Sequence, residues 1–270
     1  MTELLDLVDI ARQAARLGAD LLSKSAPGRV EAKSERDFVT ELDVRIQEDI
    51  QRHLAVQTPG IAFLGEEGDA GPARVPSRRW VLDPIDGTSN LIHGLPLCAV
   101  SLALIEEDRP VVGVINAPML AREYWALQGG GARCNGEMIR ASAVRELDAA
   151  IISIGDYAVG EGADDRNRRR IALTAALAAK VERIRMFGSA ALDLAWVAEG
   201  RTDGCVMLSN KPWDTAAGVL IARESGATVT DSDGSAHTVD SRHTVAAAPG
   251  LSAGLLRLLA APIDGGDRGN

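Results

Sequence analysis

The run Trp80-Val81-Leu82-Asp83-Pro84-Ile85-Asp86-Gly87-Thr88-Ser89-Asn90 carries the densest chemistry in the chain. An apolar segment delivers Asp83 to its end, Pro84 fixes a turn, and Asp86 follows three residues later, just before a glycine that permits tight backbone geometry. Both carboxylates can then face one point. Two acids held that close stay comfortably ionised only with cations between them. Hard oxygen ligands around a tight turn, with the Ile85 carbonyl as a further oxygen, suit Mg²⁺. An ordinary Asp-Pro turn accounts for the same residues equally well, because Asp, Pro and Gly all favour turns.

Two other acidic positions change that balance. Phe63-Leu64-Gly65-Glu66-Glu67 places acids at the end of another apolar run, where an exposed acidic loop is the bland explanation. Lys211-Pro212-Trp213-Asp214-Thr215-Ala216-Ala217-Gly218 puts an Asp at a helix start, where capping is the bland role. Each alone reads as structural; all three at ends of elements favour one shared site. The overall charge points the same way. With 29 Lys+Arg against 38 Asp+Glu the net charge is -9, which repels a phosphate backbone but allows for carboxylates gathered around divalent cations.

The elements that must position these acids follow from length and periodicity. At 270 residues the chain holds about two domain-sized units, or one large α/β domain with a divided core. Apolar residues from Leu4 to Leu22 recur at three and four, an amphipathic helix. A second helix is expected from Thr40, where Thr40 with Asp43 three residues on resembles a capping box. Lys33 to Val39 reads as polar loop. Short β-rich runs follow at 61–64, 80–82, 99–105, 111–115 and 123–127, with a mobile Gly/Pro/Ala loop expected at Gly68–Ser77. After Ile151–Ile154 helices and strands alternate, the mark of a layered α/β second half. The expected helices lie near 165–180, 189–199, 214–225 and 251–259, and the strands near 182–187, 204–208, 227–230 and 244–247. Residues 262–270 should fray.

GEE at 65–67, DPIDGTSN at 83–90 and PWDTAAG at 212–218, in this order and at these separations, make the chain resemble the inositol monophosphatase family over roughly Leu4 to Ala247. The resemblance implies a layered αβαβα sandwich of the inositol monophosphatase and fructose-1,6-bisphosphatase type. It would be one domain, with an α+β half over about 1–145 and an α/β half over about 146–260. It implies a lithium-sensitive phosphatase with two to three Mg²⁺ ions. Glu66, Asp83 and the Ile85 carbonyl would hold one ion, Asp83, Asp86 and Asp214 a second, and Glu66 would help with a weaker third. The Gly87 and Thr88 amides match the family's phosphate cradle. Asp43 and Thr88 match the pair that orients and deprotonates the attacking water, with Glu66 beside them. Lys33 matches a lysine near the site, and Ser189, in Gly188-Ser189-Ala190, lies where the family lines its substrate-alcohol side. The expected assembly is a homodimer.

Phosphate monoesters are very hard to hydrolyse, and metal ions can stabilise both the attacking and the leaving oxygen of an in-line displacement. No Cys or His nucleophile is needed. The match departs at one place: where inositol-selective relatives carry a glutamate six residues before the tryptophan of the WD pair, this chain has Met207, and a thioether is at best a weak acceptor. Inositol 1-phosphate is therefore the nominal substrate, with histidinol-phosphate, a sugar phosphate or 3′-phosphoadenosine 5′-phosphate as alternatives. A non-catalytic regulatory protein on the same fold is the reading from a different class. Cys98, Cys134 and Cys205 are too scattered for a disulfide framework, and with no long apolar segment the chain reads as cytoplasmic, without membrane or nucleic-acid partners. His93 reads as a packed side chain, and the arginines from Arg166 to Arg170 read as a solvated helix face.

Overall fold

The computed structural model describes residues 2–68 and 76–260. Most of the expected mobile loop at Gly68–Ser77 and the expected fraying tail lie outside the described residues. The three-and-four periodicity becomes helix α1 (Thr2–Lys24), which buries Leu7, Val8, Ala11, Ala14, Ala15 and Leu22. A two-stranded antiparallel hairpin follows, β1 (Val30–Ser34) and β2 (Asp37–Thr40). This corrects the expected polar loop over Lys33 to Val39. Every residue of β1 is exposed, so the strand carries none of the apolar alternation that marks a half-buried strand. Helix α2 (Glu41–Gln57) then lays Leu42, Ile46, Ile50 and Leu54 beside α1.

These two helices cover a seven-stranded sheet of β3 (Ala62–Gly65), β4 (Arg78–Asp86), β5 (Ala99–Glu106), β6 (Arg109–Ala117), β7 (Arg122–Leu127), β8 (Ala132–Cys134) and β9 (Glu137–Met138), paired in that order. Only β3 and β4 run parallel. The last two strands, of three and two residues, are too short to announce themselves in the sequence. A one-turn helix, α3 (Thr88–Ile92), leads from β4 toward β5. Side chains alternate across the sheet: Trp80, Leu82, Leu102 and Leu104 pack toward α1 and α2, while Val81, Ala103 and Ile105 face the interior of the molecule.

The second sheet has the order β11 (Arg183–Arg185), β10 (Ile151–Ile154), β12 (Gly204–Met207), β14 (Thr244–Ala247) and β13 (Thr228–Thr230). Its outer face carries α4 (Ala163–Ala178) and α7 (Ser252–Ala260), through Leu173, Leu177, Leu255 and Leu259. Between the two sheets lie α5 (Ala190–Glu199) and α6 (Pro212–Glu224), apolar nearly all round, as helices covered on both sides must be. A Cβ on Gly113 of β6 would come within 2.8 Å of the Ala217 carbonyl oxygen, so glycine is what lets α6 lie this close to the first sheet. The result is the αβαβα sandwich. All three cysteines are buried and free, and no helix among the described residues is long and apolar enough to cross a membrane.

Candidate active site

Strand β4 delivers its acids through a bulge. Its pairing with β5 runs in register to Asp83 opposite Ser101 and resumes with Asp86 opposite Ala99, so three steps on β4 span two on β5. The Asp83 carboxylate accepts the Ile85 amide at 3.0 Å, which closes the turn around Pro84. Asp86 is gripped from across the molecule by the start of α5: it accepts the Ala191 amide at 2.8 Å, the Ala190 amide at 3.2 Å and the Ser189 hydroxyl. Gly87, at φ 95, then turns the chain into α3, and a Cβ there would meet the Leu97 carbonyl oxygen at 2.6 Å.

Two further acids occupy equivalent places on two helices. Asp43 is the third residue of α2 and Asp214 the third of α6, and each accepts a backbone amide from the residue preceding its helix: Thr40 N at 2.8 Å and Lys211 N at 2.6 Å. Asp43 is thus a capping residue, as its spacing from Thr40 indicated. It also faces the site. Its other oxygen lies 3.1 Å from Thr88 Oγ1, which is in turn 2.9 Å from the Ile85 carbonyl. Glu66 closes the group from the end of β3, with its amide donated to the Leu82 carbonyl at 3.0 Å. Its carboxylate meets Lys33 Nζ at 2.8 Å, and its charge is felt at Asp83.

The electrostatics follow from this crowding. Burial drives Asp83 well above the usual carboxylate range, and the charges of Glu66, Asp86 and Asp214 push it further. Burial likewise lifts Asp86 to about 6, against its bonds from Ser189, Ala191 and Ala190, and Asp214 to about 7, against the Lys211 amide. Asp43 is raised by burial despite the bonds from Thr40 and Thr88. Acids that suppress one another's ionisation in this way become charged together when a divalent cation sits among them, so the donor set fits Mg²⁺. In the side-chain positions seen, no three His, Cys, Asp or Glu groups among the described residues form a ready cage. Glu66 turns to Lys33, Asp86 to α5 and Asp214 to the Lys211 amide.

Two residues expected on the alcohol side are turned inward. Ser189 is 2% exposed, caps α5 by accepting the Leu192 amide at 3.2 Å, and donates to Asp86. Met207 is 3% exposed: Val206 faces the outer helices, so by strand alternation Met207 faces the central layer and joins its apolar cluster. His93 is exposed at the end of α3, its Nδ1 2.8 Å from the Ser89 carbonyl, which corrects the reading of a packed side chain. Arg170 is buried and donates to the Asp156 carbonyl at 2.6 Å, so it does not belong to the solvated face its neighbours form.

Sequence reasoning missed two positioning groups. Gln47 lies four residues after Asp43, on the same face of α2, and holds the Glu67 backbone by accepting its amide at 3.0 Å and donating to its carbonyl. Asn90, within the motif itself, donates to the carbonyls of Leu97 at 2.8 Å and Phe187 at 2.7 Å, and so joins the α3 turn to the approach to α5.

Comparisons with known proteins bear on the family and the fold. The model of the inositol monophosphatase family matches residues 2–263. An inositol-1-monophosphatase of Mesorhizobium japonicum is 36% identical over 235 residues, which cover 87% of each chain. Among solved structures, the extragenic suppressor protein suhB from Bartonella henselae superposes with a TM-score of 0.87 at 34% identity, covering 93% of this chain and 97% of that one. An IMPase/NADP phosphatase complexed with Mg²⁺ and phosphate gives a TM-score of 0.79 at 26% identity, covering 93% and 92%.

Proposed function

Since this chain belongs to the inositol monophosphatase family, and so to the phosphoric monoester hydrolases, we propose that it is a Mg²⁺-dependent hydrolase of small phosphate monoesters, with inositol 1-phosphate as the nominal substrate. The observation that carries the reading is the convergence of Glu66, Asp83, Asp86 and Asp214 from β3, β4 and α6, with Asp43 and Thr88 beside them. Glu66, Asp83 and the Ile85 carbonyl would hold one ion, Asp83, Asp86 and Asp214 a second, and Glu66 a weaker third. Bound there, Mg²⁺ supplies positive charge for the ester oxygens and makes a water more acidic.

The remaining work falls to the chain. The Gly87 and Thr88 amides bind the phosphate at the turn into α3, where glycine keeps the backbone open to an anion. Thr88 Oγ1 accepts a proton from the attacking water and passes its own to Asp43, 3.1 Å away. Burial raises the proton affinity of Asp43, which makes it a better base. Asp86, held by three donors on α5, stays in place while the ester reacts. Histidinol-phosphate, sugar phosphates and 3′-phosphoadenosine 5′-phosphate are the alternative substrates, and the protein works in the cytoplasm as a homodimer.

The test is phosphate release from each of these esters, with MgCl₂ and with EDTA. Turnover of inositol 1-phosphate that needs Mg²⁺ is the expected result. Equal turnover in EDTA, or none with any ester, overturns the reading.

A further inference from the structure

We propose that the segment from His237 to Thr244 braces α6 at both ends and so sets where Asp214 stands, with Asn210 and His237 as positioning residues. This rests on the reading of Asp214 as a metal ligand. Asp83 and Asp86 are built into a strand of the first sheet, whereas Asp214 comes from a helix between the sheets, and its place depends on what fixes that helix.

Lys211 is tied into the first turn of α6: its amide donates to Asp214 Oδ2 at 2.6 Å, and its carbonyl accepts the Asp214 amide at 3.1 Å. The residue before it, Asn210, spends its amide and both polar atoms of its side chain on the stretch leading into β14. The amide donates to the Arg242 carbonyl at 3.1 Å, Nδ2 donates to the Ser241 carbonyl at 2.8 Å, and Oδ1 accepts the Thr244 hydroxyl at 3.0 Å. At the other end of the helix, Arg223 in the last turn donates through Nη2 to the His237 carbonyl at 2.8 Å. One segment thus holds both ends of a helix of 13 residues, and α6 cannot slide along its axis without breaking these bonds.

The directions of the hydrogen bonds along the brace are forced. The Ser241 carbonyl can only accept, so it takes the Asn210 Nδ2 donor and leaves Oδ1 facing Thr244. Oδ1 can only accept in turn, so it takes the one hydrogen that Thr244 Oγ1 carries. That hydroxyl must then accept from His237 Nε2, 2.8 Å away, which places the imidazole proton on Nε2. His237 Nδ1 is buried and meets no partner among the described residues, so neither the other tautomer nor the protonated ring is satisfied there. Thr244 is fully buried and His237 nearly so, which leaves water little access to substitute for either. A buried chain with one permitted arrangement of hydrogens fixes a position as well as adding stability. Its position is passed through Asn210 and Lys211 to Asp214.

The test pairs titration calorimetry with MgCl₂, without substrate, and backbone hydrogen exchange over 208–214 in the metal-free protein, both on the full chain. Thr244→Val removes the hydroxyl and keeps the shape, and Asn210→Ala releases both side-chain links from a half-buried position. Thr244→Ser keeps the hydroxyl. Leu255→Ala, in the apolar cluster on the outer face of the second sheet, is destabilised away from the brace. Thr244→Val and Asn210→Ala should bind Mg²⁺ at least about threefold more weakly than wild type, and their 208–214 amides should exchange at least about tenfold faster. Thr244→Ser should match wild type in both, and Leu255→Ala should leave Mg²⁺ affinity unchanged. Should Thr244→Val fail to fold, Asn210→Ala decides alone. If the folded variants bind Mg²⁺ as tightly as wild type, if Thr244→Ser binds as weakly as Thr244→Val, or if Leu255→Ala weakens binding as much as they do, the brace is overturned while the metal site stands. If wild type takes up no Mg²⁺ at all, both are overturned.

Discussion

Asp83 and Asp86 are buried at the end of β4, one closed on the Ile85 amide and the other held by three donors at the start of α5. Across the site, Glu66 and Glu67 stand half-buried at the end of β3 and share an ammonium offered by a hairpin with no core of its own. The acids of the first region are oriented by backbone amides that cannot turn away. Those of the second are partnered by a flexible side chain that can. The contrast divides the labour: the wall of β4, α5 and α6 fixes where charge must be neutralised, while the acids at the end of β3 meet an ammonium on a flexible side chain. Pre-organisation that costs nothing at the moment of reaction belongs on the wall.

The contrast is broken most directly by removing a wall acid. Asp214→Asn should lower kcat/KM by at least about 10³-fold, a loss of roughly 4 kcal/mol of transition-state stabilisation, while circular dichroism stays native. The amide still accepts the Lys211 amide, so the cap survives and only the charge is lost. Turnover above about a hundredth of wild type would show that the wall does not carry the chemistry.

Backbone strain sharpens the same contrast. Gly87→Ala places a Cβ 2.6 Å from the Leu97 carbonyl oxygen at φ 95, and backbone on both sides leaves little room to relax. The expected loss is about 2–4 kcal/mol by urea unfolding. Arg36 also has positive φ, 57°, but in the exposed turn of the hairpin, so Arg36→Gly should change stability by less than about 1 kcal/mol. Equal effects at the two positions would erase the distinction between wall and hairpin.

The acids also leave a mark on stability against pH. Burial raises Asp86 to about 6 and Asp214 to about 7, above their unfolded values. The folded state therefore binds more protons than the unfolded chain between about pH 4 and 7, and the metal-free protein loses stability as pH rises through that window. Its Tm should climb as pH falls from 7.5 to 6.5, and Mg²⁺ should flatten the climb. His237 pulls the other way at lower pH. Burial, with Arg223 nearby, depresses it to about 4, so its contribution is lost as pH falls below about 6.5. A His237→Gln variant should soften that acid limb and leave the rise from 7.5 to 6.5 in place. A metal-free Tm that falls over 7.5 to 6.5 would contradict the crowding of the acids.

What could be read from the sequence follows how local each signal is. Asp83 and Asp86 were legible because strand, Pro84 and Gly87 constrain them within five residues, and Asp43 because a capping box spans three. The αβαβα order came through the family resemblance, whereas periodicity alone gave only a two-part α/β chain. The hairpin was not legible, since β1 buries nothing and its alternation is empty. Nor was the grip of Gln47 on Glu67, which joins helix and strand across 20 residues. The inward turn of Ser189 and Met207 depends on which face of α5 and β12 meets the central layer, and only tertiary packing decides that.

The smallest expected effect concerns the leaving alcohol. Met207 lies in the central apolar cluster and its thioether is at best a weak acceptor, so this position offers an inositol hydroxyl no strong acceptor. A charge-assisted hydrogen bond is worth roughly 1.5–3 kcal/mol, so its absence should weaken inositol recognition by about 10- to 150-fold in kcat/KM against a glutamate-bearing site. Wild type should then separate inositol 1-phosphate from 2-phosphoglycerol by less than about tenfold, because the phosphate half of the site treats both alike. Met207→Glu should shift that ratio toward inositol 1-phosphate, and its burial should lower Tm, since a carboxylate would replace a thioether among apolar side chains. The two effects separate cleanly: the ratio is measured below the melting transition, where folded protein alone turns over. If wild type already prefers inositol 1-phosphate by more than about a hundredfold, and the substitution leaves the ratio unchanged, a residue other than Met207 reads the ring, and the hairpin beside Asp43 is the next place to look.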